Sequence, residues 1–204
     1  MKSKLIIKLT KMMNKKLPGK SSHEEMVVRP KQKFMKTKNS ISAAVLILLY
    51  PLGNNWYFYL TKRTKTVEHH KGQISLPGGM LEKGESSQEA AIRETYEELG
   101  IKPQAINIIG SLTPFYIPIS GFNVFPHVGW IAKCPTLEIQ SKEVSKVFAP
   151  SVSSLISPQN KKIKKSTMLG QKVKIPYFNL NNEIVWGATS MILSEFKSIL
   201  KGIK

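Results

Sequence analysis

Gly79-Met80-Leu81-Glu82-Lys83-Gly84-Glu85-Ser86-Ser87-Gln88-Glu89-Ala90-Ala91-Ile92-Arg93-Glu94-Thr95-Tyr96-Glu97-Glu98-Leu99-Gly100-Ile101 is the stretch that decides the fold. Its second half predicts a helix from about Ser87 to Leu99. Ser86 is placed to cap the first turn, and Glu89 to reach back and complete a capping box. Ala90, Ala91, Thr95 and Leu99 recur on one face, and Gly100 stands where a left-handed stop is expected. Glu94, Glu97 and Glu98 are spaced i, i+3 and i+4, so on a helix their carboxylates share a face. At about 5 Å and an effective dielectric near 20, each such pair repels by about 3 kcal/mol before screening. A hard divalent cation would remove that cost, and Mg²⁺ takes carboxylates together with phosphate oxygens and water. Taken alone, the three glutamates also read as a solvated acidic face. The surroundings favour a site: Gly78-Gly79 lets backbone come close, and Glu85 in the intervening loop is placed to pair with Arg93 and pin that loop to the helix.

Working outward, Ala43–Leu49 and Trp56–Thr61 read as two strands around a turn at Pro51-Leu52-Gly53-Asn54-Asn55. A short strand is expected at Gln73–Leu76, ended by Pro77-Gly78-Gly79. Ile106–Leu112 and Val124–Ala132 read as strands on either side of a Pro-containing loop at Thr113–Asn123. Residues 143–158 hold a strand end and a short helix. Lys161–Ser166 and Gln171–Phe178 form a basic hairpin around Leu169-Gly170. An amphipathic helix closes the chain from about Val185 to Leu200, with Ala188, Met191, Ile192, Phe196 and Ile199 at helical spacing. Strands with two interior helices indicate an α/β or α+β sandwich whose mixed sheet is covered on both faces.

Gly79, Glu85, Arg93-Glu94, Glu97-Glu98 and Gly100, at these spacings, resemble the signature box of the Nudix hydrolases. Thr95 departs from the pattern, standing where an aliphatic residue is usual; its methyl is expected to pack inward. The resemblance implies an α/β/α sandwich and hydrolysis of a nucleoside diphosphate linked to another group. It implies metal ligation by Glu94, Glu97 and Glu98, with Glu97 or Glu98 as the alternative base for the attacking water, and a structural salt bridge between Glu85 and Arg93. Mg²⁺ is the expected cofactor, with Mn²⁺ as the alternative.

The segment ahead of the box, Leu60-Thr61-Lys62-Arg63 and then His70-Lys71-Gly72-Gln73-Ile74-Ser75-Leu76-Pro77-Gly78-Gly79, is similar to the motif that marks the coenzyme A pyrophosphatase branch. Glu68 and Leu76 depart from it, at positions where that branch often has Arg and Phe. Leu112–Pro118 and Trp186–Leu193 are similar to the same branch, so the likeness spans about residues 40–200. It implies coenzyme A as substrate, with 4′-phosphopantetheine and adenosine 3′,5′-bisphosphate as products. Other diphosphates, such as ADP-ribose, NADH or a noncanonical nucleotide, stay open, as does a non-catalytic nucleotide- or RNA-binding module. Arg63, His70, Gln73, Gly78 and Gly79 are the candidate substrate-binding residues. Arg63 reads equally as a phosphate fork or as a strand-end charge. His70 reads as a phosphate contact or a turn hydrogen bond, and Glu143 as a distal metal ligand or a surface charge beside Lys142.

Composition bounds the rest. In 204 residues, 31 Lys and Arg face 13 acids, giving +18. Six of the thirteen glutamates lie between Glu82 and Glu98, whereas residues 1–40 hold twelve basic residues against two acids. The excess fits a solvated lysine-rich surface, and it also fits attraction of a phosphorylated small molecule. No aromatic-basic interleaving of the RNA-binding kind is present, so nucleic acid is not the favoured partner. A single cysteine, Cys134, excludes an intrachain disulfide and fits a reducing cytoplasm; it is expected to be a buried structural thiol. The longest apolar run, Ile41–Tyr50, is too short for the roughly twenty residues of a membrane span. Residues 1–39 are expected to be a basic extension ahead of a 40–204 domain. Residues 4–17 form an amphipathic helix that packs on the domain or pairs in a homodimer.

Overall fold

In the computed structural model of the chain, the described residues are 3–28, 40–64, 72–168 and 170–203. The chain opens with helices α1 (Lys4–Met13) and α2 (Lys20–Glu24). Strands β1 (Ile41–Leu52), β2 (Asn55–Phe58), β3 (Leu60–Arg63), β4 (Ile74–Ser75) and β5 (Gly78–Met80) lead to helix α3 (Ser87–Leu99). Then come β6 (Asn107–Ser111), β7 (Phe115–Ile117), β8 (Phe122–Trp130), β9 (Val144–Phe148) and helix α4 (Val152–Ile156). The chain closes with β10 (Lys161–Met168), β11 (Gln171–Leu180), β12 (Glu183–Val185) and helix α5 (Gly187–Lys201).

β1 organises the molecule. Its residues alternate between two faces, as the strand period requires. Ala44, Leu46, Leu48 and Tyr50 pack with Ala90, Ala91 and Leu99 of α3. Ile47 and Leu49 join the opposite cluster, with Leu193, Phe196 and Ile199 of α5 and Ile6 and Leu9 of α1. Both faces of the central sheet are therefore covered, and the architecture is an α/β/α sandwich. The sheet runs β2-β1-β8-β6, with β5 added to β1 and β7 to β8. β1 and β8 are parallel, so the chain between them must cross over, and α3 lies on that crossover. The other pairs of this sheet are antiparallel, which makes it mixed. Two smaller sheets complete the fold, β4-β3-β9 and β10-β11-β12.

Several expectations shift. The Thr113–Asn123 segment carries a short strand, because Phe115–Ile117 hydrogen-bonds to the start of β8. The last helix begins at Gly187, since Glu183–Val185 pairs with β11 as β12. The N-terminal helix ends at Met13, ahead of Pro18-Gly19, and its apolar stripe Ile6, Leu9 and Met13 is buried in this chain's own core. That face needs no second subunit to cover it. Cys134, expected to be buried, is exposed: it follows the end of β8 in a loop of the surface. Among the described residues, no helix is long and apolar enough to cross a membrane.

Candidate active site

Helix α3 starts where Ser86 accepts the Glu89 amide at 3.3 Å and Glu89 accepts the Ser86 amide at 2.9 Å, a reciprocal capping box. It stops at Gly100, whose φ of 71° is left-handed and whose amide returns to the Tyr96 carbonyl at 2.7 Å. A side chain there would also collide with Glu138. Thr95 is fully buried and donates its hydroxyl to the Ala91 carbonyl at 2.7 Å, so its polar atom is satisfied within the helix and its methyl faces the core. Start, stop and buried face together fix the rotation of the helix and hence where the glutamates point.

Arg93 joins the loop to the helix. Its Nε and Nη2 donate to the two Glu85 oxygens at 2.9 and 3.1 Å, and Nη2 also reaches the Met80 carbonyl at 3.0 Å. Glu85 in turn accepts the Glu82 amide at 3.0 Å, which closes the loop. The paired guanidinium holds the Glu85 carboxyl below its ordinary range, helped by that amide. Arg93 Nη1 lies between two further carboxylates, 2.9 Å from Glu94 and 3.0 Å from Glu97.

The remaining carboxylates differ sharply. Glu97 is half exposed, while Glu98 is only 2% exposed. Burial pushes the Glu98 carboxyl up to about 8; Arg63 opposes that shift, and Glu94 and Glu143 add to it. Glu94 is also raised, first by burial, with Arg93 opposing and Glu97 and Glu143 contributing. Glu143, far away in sequence, thus sits within electrostatic reach of both glutamates. It is delivered there by the Thr64 amide, which donates to its carbonyl at 2.9 Å, and by the pairing of β9 with β3.

Arg63 ends β3 with Nη1 4.0 Å from Glu98 Oε1. Its amide donates to the Gln73 carbonyl at 3.0 Å, which places Gln73, exposed, beside it. Gly78 and Gly79 open β5, against β1 and Glu94. At Gly78, with φ of 152°, a side chain would overlap the Ala44 carbonyl and Val45; at Gly79 it would overlap the Glu94 carboxylate. His70 lies outside the described residues. Sequence reading missed Thr61, which is buried on the same strand face as Arg63, pairs its hydroxyl with that of Ser75 at 3.2 Å and favours the ionised form of Glu98. The two-residue step from Arg63 back to Thr61 along β3 is the signal that identifies it.

Among the described residues, no three acidic, imidazole or thiol groups are arranged as a ready metal cage. The donors nevertheless suit a hard cation. They are all carboxylates, and Glu98 Oε2 is buried with no hydrogen-bond partner. Glu94 and Glu97 already share one cation, the Arg93 guanidinium. Mg²⁺ commonly takes only one or two carboxylates and keeps several waters, so a closed cage is not required.

Comparison with known proteins agrees with this geometry. The sequence matches the family profile described as NUDIX domain over residues 41–165. It is 32% identical to a protein named uncharacterized Nudix hydrolase NudL of Salmonella dublin, over 83% of this chain and 87% of that one. It is 29% identical to Nudix hydrolase 3 of Caenorhabditis elegans, over 83% of this chain and 84% of that one. Among solved structures, the Nudix hydrolase RenU of M. smegmatis superposes with a TM-score of 0.57, covering 80% of this chain and 88% of that one at 15% identity.

Proposed function

This chain belongs to the Nudix hydrolase family, and from that membership we propose that it hydrolyses the diphosphate of coenzyme A to 4′-phosphopantetheine and adenosine 3′,5′-bisphosphate. The pyrophosphatase activity follows from the family; the substrate rests on the segment that ends β3 and forms β4. One observation carries it. Arg63 is held against the buried Glu98, and its Nε has no hydrogen-bond partner in the protein. A guanidinium with an unspent donor beside the carboxylate face suits a phosphate oxygen, which it recognises in a planar, two-pronged way. Gln73 stands next to it, and both belong to the stretch that resembles the coenzyme A branch.

Glu94, Glu97, Glu98 and Glu143 are the residues proposed to hold Mg²⁺, which when bound supplies charge neutralisation and a water of lowered pKa. Glu98 is the proposed acceptor of the water's proton. Its carboxyl is buried, with Oε2 free of hydrogen bonds, whereas Glu97 is solvated. Arg63 and Gln73 orient the phosphates, and Gly78-Gly79 lets the backbone approach them. Glu85 and Arg93 act by positioning: they fix the loop against the helix and hold Glu94 in place. The net charge of +18 draws a ligand with three phosphates toward the molecule.

The test is product analysis with Mg²⁺ present, using coenzyme A in parallel with ADP-ribose and NADH, and Glu98→Gln as control. Formation of both named products, lost in the control, is expected. Cleavage of another diphosphate while coenzyme A is spared overturns the substrate and keeps the chemistry.

A further inference from the structure

On the other side of the central sheet from α3, a second cavity opens between α5, the segment after α2 and the first residue of β10. Its volume is about 230 Å³, and Lys161, Lys197, Lys201, Glu25, Phe178 and Pro158 are among its lining residues. Three lysines thus line one small space, and Glu25 is the acid among the lining residues. Lys161 engages it directly, with Nζ 2.6 Å from Oε2. Lys197 and Lys201 are four apart on α5, so both project from one face of the helix.

Lys197 is the unusual member. It is only 7% exposed, and its Nζ lies 5.2 Å from the centre of the Phe178 ring. The Ser157 carbonyl accepts one hydrogen bond from it at 3.1 Å. An ammonium carries three donors. Here the nitrogen has one backbone acceptor and the Phe178 ring, with two lysines and the single carboxylate of Glu25 nearby, so positive charge is in excess and an entering anion would add acceptors that the protein does not supply. Burial lowers the Lys197 pKa, and the nearby Lys201 and Lys161 lower it further, with Glu25 opposing. The charge excess is therefore felt at the Lys197 nitrogen itself. The rest of the wall is mixed, with the apolar Phe178 ring and Pro158 beside Ser194 and Ser198.

We propose that this cavity binds a phosphate group, as the free ion or as the head of a small phosphomonoester whose apolar part lies against Phe178 and Pro158. Three lysines supply the charge and the donors, and Glu25 sets the position of one of them. The site belongs to α5, the end of α2 and the β10–β11 hairpin, whereas Glu94, Glu97 and Glu98 belong to α3 on the opposite face, so it is separate from the proposed diphosphate-cleaving site.

Calorimetric titration of the full chain with inorganic phosphate, in EDTA and at constant ionic strength, tests this, with phenyl phosphate as the second probe. Saturable one-site binding is expected. The double variant Lys161→Ala/Lys201→Ala, which alters the more accessible lysines and whose folding is checked by thermal melting, should weaken it about tenfold or more. Lys197→Met should abolish it, and Arg63→Ala should leave it unchanged. Tighter binding of phenyl phosphate identifies a monoester as the ligand; equal affinity identifies the free ion. Absence of saturable binding in the unaltered protein, or unchanged affinity in the folded double variant, overturns the proposal. So does loss of binding in Arg63→Ala with the lysine variants unaffected.

Discussion

Replacing Glu98 with glutamine should make the metal-free protein more stable in alkaline solution. Glu98 is buried, and its carboxyl titrates near 8 in the fold against an ordinary value of 4.5. Between those values the folded state binds a proton that the unfolded state releases, so stability falls as pH rises. Above both values the penalty reaches about 5 kcal/mol, at about 1.4 kcal/mol for each tenfold change in proton affinity. Between about pH 5 and pH 8, most of that penalty, about 3 kcal/mol, develops. Glutamine has nearly the same shape and no charge to bury, so the variant lacks this contribution. The Glu94 penalty has the same sign and is common to both proteins. The assay is urea unfolding in EDTA at a series of pH values, comparing the two proteins at each one. Their difference in unfolding free energy should shift in favour of the glutamine protein by about 3 kcal/mol across that window. Millimolar Mg²⁺ should stabilise the unaltered protein at pH 8 more than the variant, which lacks one of the four proposed carboxylate ligands. Parallel pH profiles for the two proteins would refute the reasoning, since they would mean that Glu98 is not held in a desolvated place.

Gly79→Ala should fold and melt nearly as the parent yet lose about 100-fold in turnover, because the new methyl displaces the Glu94 carboxylate; steady-state rates on coenzyme A or any cleaved diphosphate measure it. Glu195→Ala should cost about 3 kcal/mol in urea unfolding and speed trypsin cleavage in residues 1–28. That buried carboxylate accepts from the Gly19 amide at 3.0 Å, the Thr113 hydroxyl at 2.6 Å and the Thr113 amide at 3.2 Å, and faces His23 at 2.9 Å. Thr95→Val should leave turnover intact and stability within about 1 kcal/mol, since the hydroxyl bonds only inside its own helix turn; a large loss of activity would give Thr95 a role at the site.

How much of this was legible in the sequence depends on the range of the interactions. Helix α3 was readable to the residue, because Ser86, Glu89 and Gly100 act through neighbours three or four positions away. The alternation in β1 was readable for the same reason. What escaped was decided by distant partners. Phe115–Ile117 becomes a strand only because Phe122–Val124 lies opposite it. Val185 belongs to a strand instead of the last helix because Phe178 pairs with it. Cys134 sits in an apolar-looking stretch, but its exposure depends on where the chain goes after β8. The site divides in the same way. The Glu85–Arg93 pairing and the shared face of Glu94, Glu97 and Glu98 follow from spacing. The proximity of Glu143 to Glu94 and Glu98 depends on β9 pairing with β3, and that register is a property of the whole fold. The Glu195–His23 contact, which ties the N-terminal segment to α5, bridges 172 residues and has no local signature.

The same geometry explains how one helix tolerates so many acids. Glu94, Glu97 and Glu98 would repel strongly if each stood alone in a poorly solvated place. The protein answers with two guanidinium groups, each used differently. Arg93 satisfies Glu85 with one edge and spans Glu94 and Glu97 with Nη1, so three carboxylates share one cation. Arg63 approaches Glu98 only to 4.0 Å and leaves Glu98 Oε2 and its own Nε unbonded. Arg93 is therefore committed to structure, while the Arg63–Glu98 pair is left incomplete on both partners. A buried donor and a buried acceptor that both lack partners cost the fold free energy, and a ligand able to satisfy the two together recovers it. A divalent cation bound to a phosphate would meet both demands, with positive charge for the carboxylate and an oxygen for the guanidinium. If the pair binds substrate as proposed, replacing Arg63 should impair turnover far more than it impairs folding.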